Sequence, residues 1–370
     1  STTFSLGRKL ATWAQKRCRL SVKLLKQLGG NKSLMVDLVE RLKVLLDQQV
    51  HYQPADYLSH GYQQRLLEAQ QHEVYLAPSS SSSSISCINE VWREKICEWS
   101  YQVIDHFDFS REVVCISVSY LDRYLSKRVV NKKHFQLLAM SCLYLAIKLY
   151  EPGTVSMKSM IELSRGYFLV THMVEMERSI LSTLAWKVHP PTPYCFAKHI
   201  LFLLPYTSVT MDVRYDILEL TRFLTELSVI DYYFVGQKPS AVALAALMNA
   251  MTLMPAVSDA AIDDLKRELK RLPALDPNNH EVEDCRSRLR VLYEQGAYER
   301  QETLGDTEPR HDTNSPVCVS FGVCAQVPTC QNEMLRSVNS VGVNQSIDKL
   351  CGEPNFQANG LNVTNEIPSN

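Results

Sequence analysis

The chain has 370 residues, 45% of them hydrophobic and 21% charged, with a formal net charge of −1. These are values of a globular chain long enough for two domains. They exclude a general electrostatic attraction to nucleic acid or to acidic lipid. Eleven cysteines are present, but no CxxC pair and no His/Cys cluster with zinc spacing, so reduced intracellular thiols are expected and no metal or cofactor. Without a secretory signal, the NxS/T triplets at Asn31, Asn344 and Asn362 are expected to stay unmodified. No transmembrane segment is evident, and a soluble intracellular protein with no membrane partner is expected.

Residues 1–32 carry eight Lys/Arg and no acid. That composition suits an organelle presequence, a nuclear-import patch or a solvated amphipathic tail. A serine run at Ser79–Ser84 after Pro78 reads as a flexible linker. Residues 1–87 are therefore expected to be a basic extension and linker ahead of the periodic part of the chain.

From residue 88 the helical period is strong. Ile88, Trp92, Ile96, Trp99, Val103 and Phe107 follow steps of three and four. Ser110 is a candidate N-cap for a second helix with Glu112 in its first turn. Asn131 can cap a third, whose stretch HFQLLAMSCLYLAI at 134–147 is apolar on every side. All-round apolarity marks a helix enclosed by others, and the run is too short for a bilayer, which needs about 20 residues. Lys148 ends it just before Pro152-Gly153. A short helix is expected near Ser156–Ser164, then one from about Thr171 with Met173, Met176, Ile180 and Leu184 on its buried face. Pro190, Pro191 and Pro193 break the pattern.

After the prolines the pattern restarts. Helices are expected at 194–204, along Val213–Leu227, at 240–251, near 258–271 and near 281–297, with 240–251 apolar nearly all round like the stretch before Lys148. From residue 301 the chain has only two aromatics, Phe321 and Phe356, and is rich in Asn, Ser, Thr and Gly. Disorder is expected there, with Ser315-Pro316 a candidate phosphorylation site. The predicted architecture is all-α, with five-helix units at 88–189 and 190–300 and a disordered tail at 301–370.

Nothing points to catalysis. There is no GxSxG, no HExxH and no phosphate-cradling glycine loop, and glycine is scarce at 13 residues. A nucleophilic Cys–His pair stays open, though no motif places one. A binding protein is favoured over an enzyme, with no catalytic residue assigned.

The segments WREKICEWSYQVIDHF at 92–107, VSYLDRYLS at 118–126, LAIKLYE at 145–151 and EMERSILSTLAWKV at 175–188 resemble successive parts of a cyclin box. HPPTP at 189–193 and KPSAVALAAL at 238–247 resemble the inter-box linker and a central helix of the cyclin C-terminal box. The resemblance implies tandem five-helix cyclin folds, the first of which binds and activates a cyclin-dependent serine/threonine kinase. It assigns kinase contact to Lys148 at the end of the third helix and Glu177 on the fifth, with Glu151, Leu181 and Trp186 beside them. Read alone, Lys148 would be a cation at a helix C-terminus and Glu177 a solvated acid, while a buried core explains Leu181 and Trp186 equally well.

The resemblance also implies a groove that docks Arg-x-Leu motifs of kinase substrates. Arg93, Ile96, Trp99 and Gln136 fit that pattern. However, Trp92 stands for a methionine, Lys95 for an isoleucine, and Gln102 where an acid would meet the substrate arginine. Weak docking of a cationic motif is expected. Nucleus is the expected compartment, with cytoplasm as the alternative. The rival readings are a cyclin-fold scaffold without a kinase and a transcription-factor-like adaptor that binds DNA, though the latter would need a zinc ribbon and a basic second repeat. No LxCxE motif is present, and RxxL stretches at Arg17–Leu20 and Arg286–Leu289 are too short to name as degradation signals.

Overall fold

A computed structural model describes residues 32–73, 88–153, 155–164 and 167–302. The basic stretch at 1–31, the serine run, Ser315-Pro316 and the tail from 303 lie outside the described residues. Those described form twelve α-helices and no strand. No helix among them is long and apolar enough to cross a membrane.

Two helices come first, α1 (Lys32–Gln49) and α2 (His60–Glu73). A five-helix box follows: α3 (Glu90–His106), α4 (Glu112–Leu125), α5 (Lys132–Tyr150), α6 (Met157–Glu162) and α7 (Val170–Thr183). A second box repeats the count: α8 (Pro193–Leu203), α9 (Met211–Ile230), α10 (Pro239–Leu253), α11 (Asp259–Leu269) and α12 (His280–Glu302).

The two all-apolar segments become the central helices. On α5, every residue from Leu137 to Leu143 is buried, and so are Leu145, Ala146 and Ile147. On α10, Ser240 through Met251 are all buried. Each buried Leu or Ile side chain stabilises by about 1.5–3 kcal/mol relative to exposure, and only enclosure on all sides collects that gain from a whole helix. Around these two helices lie two separate cores.

Local rules set most helix starts. Asn131 accepts a hydrogen bond from the His134 N–H at 2.9 Å, and Ser156 accepts one from Ser159 N–H at 3.0 Å. Thr192 caps α8, where Pro193 stands at the first position and so opens the helix, rather than ending the one before. Ser110 does not cap α4: the N-cap is Arg111 and no side chain serves it. Gly153 follows α5, and a Cβ there would come within 3.1 Å of the Phe109 ring, a tight approach that glycine avoids.

Residues 32–58, with no element assigned from sequence, strap both boxes. Leu42 of α1 is fully buried in the second core. Gln49 Oε1 accepts from Ser240 N–H at the start of α10, 3.1 Å away, where no side chain of α10's own cap does so. Further on, Gln53 Nε2 donates to Gln237 O at 3.1 Å, and Tyr57 is buried in the first core.

Arg93 holds the boxes to each other. Its Nε and Nη2 donate to the two carboxylate oxygens of Asp122 at 2.9 and 2.8 Å. Its Nη1 donates to Val229 O and Ile230 O at the end of α9, both at 2.9 Å. The pair is buried, with side-chain exposures of 3% and 6%. Tyr57 donates its hydroxyl to Asp122 at 2.7 Å, and burial, then the Asp122 charge, pushes the Tyr57 hydroxyl well above its usual range. At the rim, Arg111 bonds Glu226 of α9 at 2.8 Å, and Glu112 accepts from Thr192 at 2.5 Å and Lys198 at 3.2 Å. Removing one partner of a buried charge pair strands the other and costs about 3–5 kcal/mol. Asp122→Ala is therefore expected to lower unfolding free energy by about that much in urea titration; a loss below about 1 kcal/mol, the scale of exposed pairs, would contradict the assignment.

Candidate functional site

Lys148 leaves α5 in its last turn, where a cation is favoured by the helix dipole. Its Nζ lies 2.6 Å from Glu177 Oε1 on α7. The lysine side chain is 51% exposed and the glutamate 13%. The buried length of α5 fixes where Lys148 emerges, and the packing of Met173, Met176 and Ile180 fixes α7 beside it. The two residues expected to act together are thus brought together.

Exposed or half-buried apolar residues adjoin this pair along the chain, together with the exposed charges of Glu175 and Arg178. Leu149 is 41% exposed beside the lysine, and Leu181 is half-buried one turn beyond the glutamate. Trp186 is 72% exposed. A core role for Trp186, open from sequence, is therefore excluded. The backbone holds it out at a cost: Ala185 and Trp186 have φ of 50° and 59°, the left-handed region, which costs an L-residue roughly 1–2 kcal/mol. The turn is held by Trp186 N–H donating to Leu181 O at 3.0 Å and by Lys127 Nζ and Arg123 Nη2 donating to Thr183 O and Lys187 O, both at 2.9 Å. Strain that persists under such restraint is typical of functional surfaces.

The remaining acid expected at this surface, Glu151, has a partner within the chain. Glu151 Oε1 accepts from the Ser110 N–H at 3.0 Å, so this carboxylate braces the start of α4 against the end of α5. Nearby, Tyr150 bonds Val188 O at 3.1 Å and His189 Nδ1 at 2.8 Å, and burial pushes its hydroxyl up to about 12. Leu149 was missed from sequence. Its signal was an apolar residue beyond the buried run, on a helix whose interior face was already full.

The expected docking groove is only partly assembled. Arg93 is 2% exposed and faces inward to Asp122 and α9, which corrects its placement as a groove residue. Ile96 and Trp99 are 4% and 5% exposed and belong to the first core. Gln136 is half-buried on the first turns of α5. At the surface stand Trp92 and Lys95, both half-buried, and Lys132 Nζ lies 5.0 Å from the Trp92 ring centroid. A cation over this ring leaves a groove with positive character.

A Cys–His pair does occur, without the features of a nucleophile. Cys195 Sγ and His199 Nδ1 are 3.9 Å apart on α8. His199 Nδ1 lies 2.7 Å from Cys195 O; a carbonyl only accepts, so this nitrogen carries a proton and cannot take one from the thiol. Burial raises the thiol pKa, further disfavouring the thiolate. Among the described residues no group of three or more His, Cys, Asp or Glu side chains is placed to hold a metal ion.

Two family models match the chain: "Cyclin, N-terminal domain" over residues 58–189 and "Cyclin, C-terminal domain" over residues 191–301. Cyclin-A1-2 of Arabidopsis thaliana is 30% identical over 171 residues, covering 46% of this chain and 38% of that protein. Putative cyclin-F3-2 of Oryza sativa subsp. japonica is 29% identical over 228 residues, 57% of this chain and 54% of that protein. The chain thus spans well under two thirds of the length of these relatives. A solved viral cyclin from herpesvirus saimiri is 20% identical, with a TM-score of 0.46, over 62% of this chain and 99% of that one.

The Lys148–Glu177 pair is half-open to water, and exposed pairs contribute about 0–1 kcal/mol. Lys148→Ala is therefore expected to change unfolding free energy by less than about 1 kcal/mol in urea titration; a larger loss would make the pair a structural element instead.

Proposed function

The chain belongs to the cyclin family, and on that premise we propose that it binds and activates a cyclin-dependent serine/threonine kinase and is itself no enzyme. The observation that carries this reading is the Lys148–Glu177 pair at 2.6 Å, with exposed Leu149 following the lysine on α5, half-buried Leu181 one turn beyond the glutamate, and exposed Trp186 in the turn after α7. A charged pair with partly free donors and acceptors fixes orientation, and desolvated apolar neighbours supply affinity.

The physical route to activation is selection of a kinase conformation. In an inactive kinase the αC helix is displaced and its Lys–Glu pair is unformed. A surface that binds only the αC-in state shifts the population by its differential affinity. Moving a 1:99 equilibrium to 99:1 takes about 5.5 kcal/mol of such preference. Because α5 is enclosed, little ordering is lost when Lys148 engages. We place this activity in nuclear cell-cycle control; a fluorescent fusion kept out of the nucleus throughout division would remove that part of the reading.

Purified chain incubated with a panel of cyclin-dependent kinases should retain at least one and raise its phosphotransfer rate. Lys148→Ala/Glu177→Ala should lose most of both effects while keeping its melting temperature within a few degrees. Equal binding and activation by the double variant would contradict the reading. An Arg-x-Leu peptide titrated against the chain should bind weakly, given Lys132 over Trp92 and Lys95 beside it; tight binding would overturn the reading of that groove.

A further inference from the structure

The start of α7 breaks a local rule. Its N-cap is Leu169, which has no side-chain acceptor to offer and is 59% exposed. The caps of α3, α5, α6, α8, α9 and α11 are Asn, Asn, Ser, Thr, Thr and Ser, each accepting a backbone N–H, whereas α4 and α10 begin after Arg111 and Lys238 with no side-chain cap; what sets Leu169 apart from these two is an exposed apolar side chain. Among the described residues, His172 aids this end: its Nδ1 accepts from the Leu169 N–H at 3.2 Å. A large apolar side chain in water at a position that favours Ser, Thr, Asp or Asn weakens the helix. Departures from local rules are expected at functional or strained sites.

The exposed apolar residues continue from that end. Val170 is 45% exposed and Val174 is 39% exposed. Successive positions at 170, 174, 177 and 181 are three or four apart and fall on one face of the helix. That face therefore reads Val, Val, Glu, Leu, with Glu177 inside the stripe. At 1.5 Å per residue it runs about 16 Å from Val170 to Leu181. The buried face, carrying Met173, Met176 and Ile180, lies beside it and is already filled by the core. An exposed apolar side chain thus stands at each end of α7, Leu169 as a cap without a side-chain acceptor and Trp186 in the left-handed turn just past the other end.

We propose that Leu169, Val170 and Val174 extend the kinase-binding face past the Lys148–Glu177 pair and select a kinase with an apolar, uncharged surface at that end. The inference rests on the kinase reading above. Continuity argues for a single partner: the stripe has no break between Val170 and Leu181, and Glu177, the residue assigned to the kinase, stands within it. A kinase with a charged side chain opposite Val170 and Val174 would have to bury that charge unpaired and would be rejected.

Leu169→Ser separates the two roles of that residue, because it repairs the cap and removes the contact. The test compares wild type, Leu169→Ser, Val170→Asp/Val174→Asp and Lys148→Ala/Glu177→Ala, full-length, against the kinase that wild type retains from a purified panel. Dissociation constants and melting temperatures are read for each. Leu169→Ser should melt at or above wild type yet bind at least threefold more weakly. Val170→Asp/Val174→Asp should bind at least tenfold more weakly, with melting within a few degrees of wild type. Unchanged affinity in both α7 variants, with binding lost in Lys148→Ala/Glu177→Ala, overturns this inference and leaves the kinase reading standing. A lower melting temperature for Leu169→Ser would also overturn it, since the cap would then cost nothing. If wild type retains no kinase, or if Lys148→Ala/Glu177→Ala binds as wild type does, the kinase reading itself falls.

Discussion

A single guanidinium, that of Arg93, stands where α3, α4 and the end of α9 converge. Two of its nitrogens meet Asp122 and a third meets the last carbonyls of α9. The α9 carbonyls at a helix C-terminus have no intrahelical donor, and in a buried position each needs one. An arginine is suited to this because its planar fork can serve a carboxylate and a backbone in different directions at once. Asp122 then neutralises a charge that could not otherwise be held in the core. The two boxes are joined through a polar node, and cutting it would expose a charge and two carbonyls together.

The strap of residues 32–58 depends on the same node. Tyr57 bonds Asp122, and Tyr232 of the second box accepts from the Leu58 N–H at 3.0 Å while donating to Asp56 at 2.8 Å. Tyr52 lies over Arg123, 4.7 Å from guanidinium carbon to ring centroid. That arginine is 6% exposed, and burial lowers its pKa; the aromatic face compensates in part for lost water. Arg123 in turn donates to Lys187 O, next to the turn that displays Trp186. A continuous set of contacts therefore runs from the inter-box node to the edge of the candidate binding surface. Such restraint lets a strained turn persist.

Much of this was legible in the residues themselves. The stretch at 134–147 and its counterpart at 240–251 are apolar in every direction, and only a central helix tolerates that; both are. Asn131 announced its helix by cap chemistry, whereas Ser110, read the same way, does not cap α4. Where reading stopped, the reason was usually depth. The spacing of Arg93, Ile96 and Trp99 is that of one helix face, but period alone does not say whether a face meets solvent or a second domain. Arg93 was placed at a groove for that reason, and its partners on α9 are more than a hundred residues away in sequence. Residues 32–58 went unassigned although Leu38, Leu42 and Leu45 keep a helical step in α1; what that face packs on, the second core, lies in distant segments that the period does not name. Leu149, Val170 and Val174 look like ordinary helix residues until the core is seen to be complete without them. Leu169 shows the converse: a poor cap is visible in sequence only once the helix start is known.

The central claim is that the surface carrying Lys148, Glu177 and Trp186 is covered by a kinase. Trp186, at 72% exposure, is a direct reporter because its indole reacts readily with hydroxyl radicals in water. Radical footprinting of the full chain, alone and with the kinase it retains, reads its oxidation by mass spectrometry. The account predicts strong protection of Trp186 in the complex, with little change at Tyr233, which is 39% exposed on the second box. Undiminished oxidation of Trp186 in a saturated complex would contradict it.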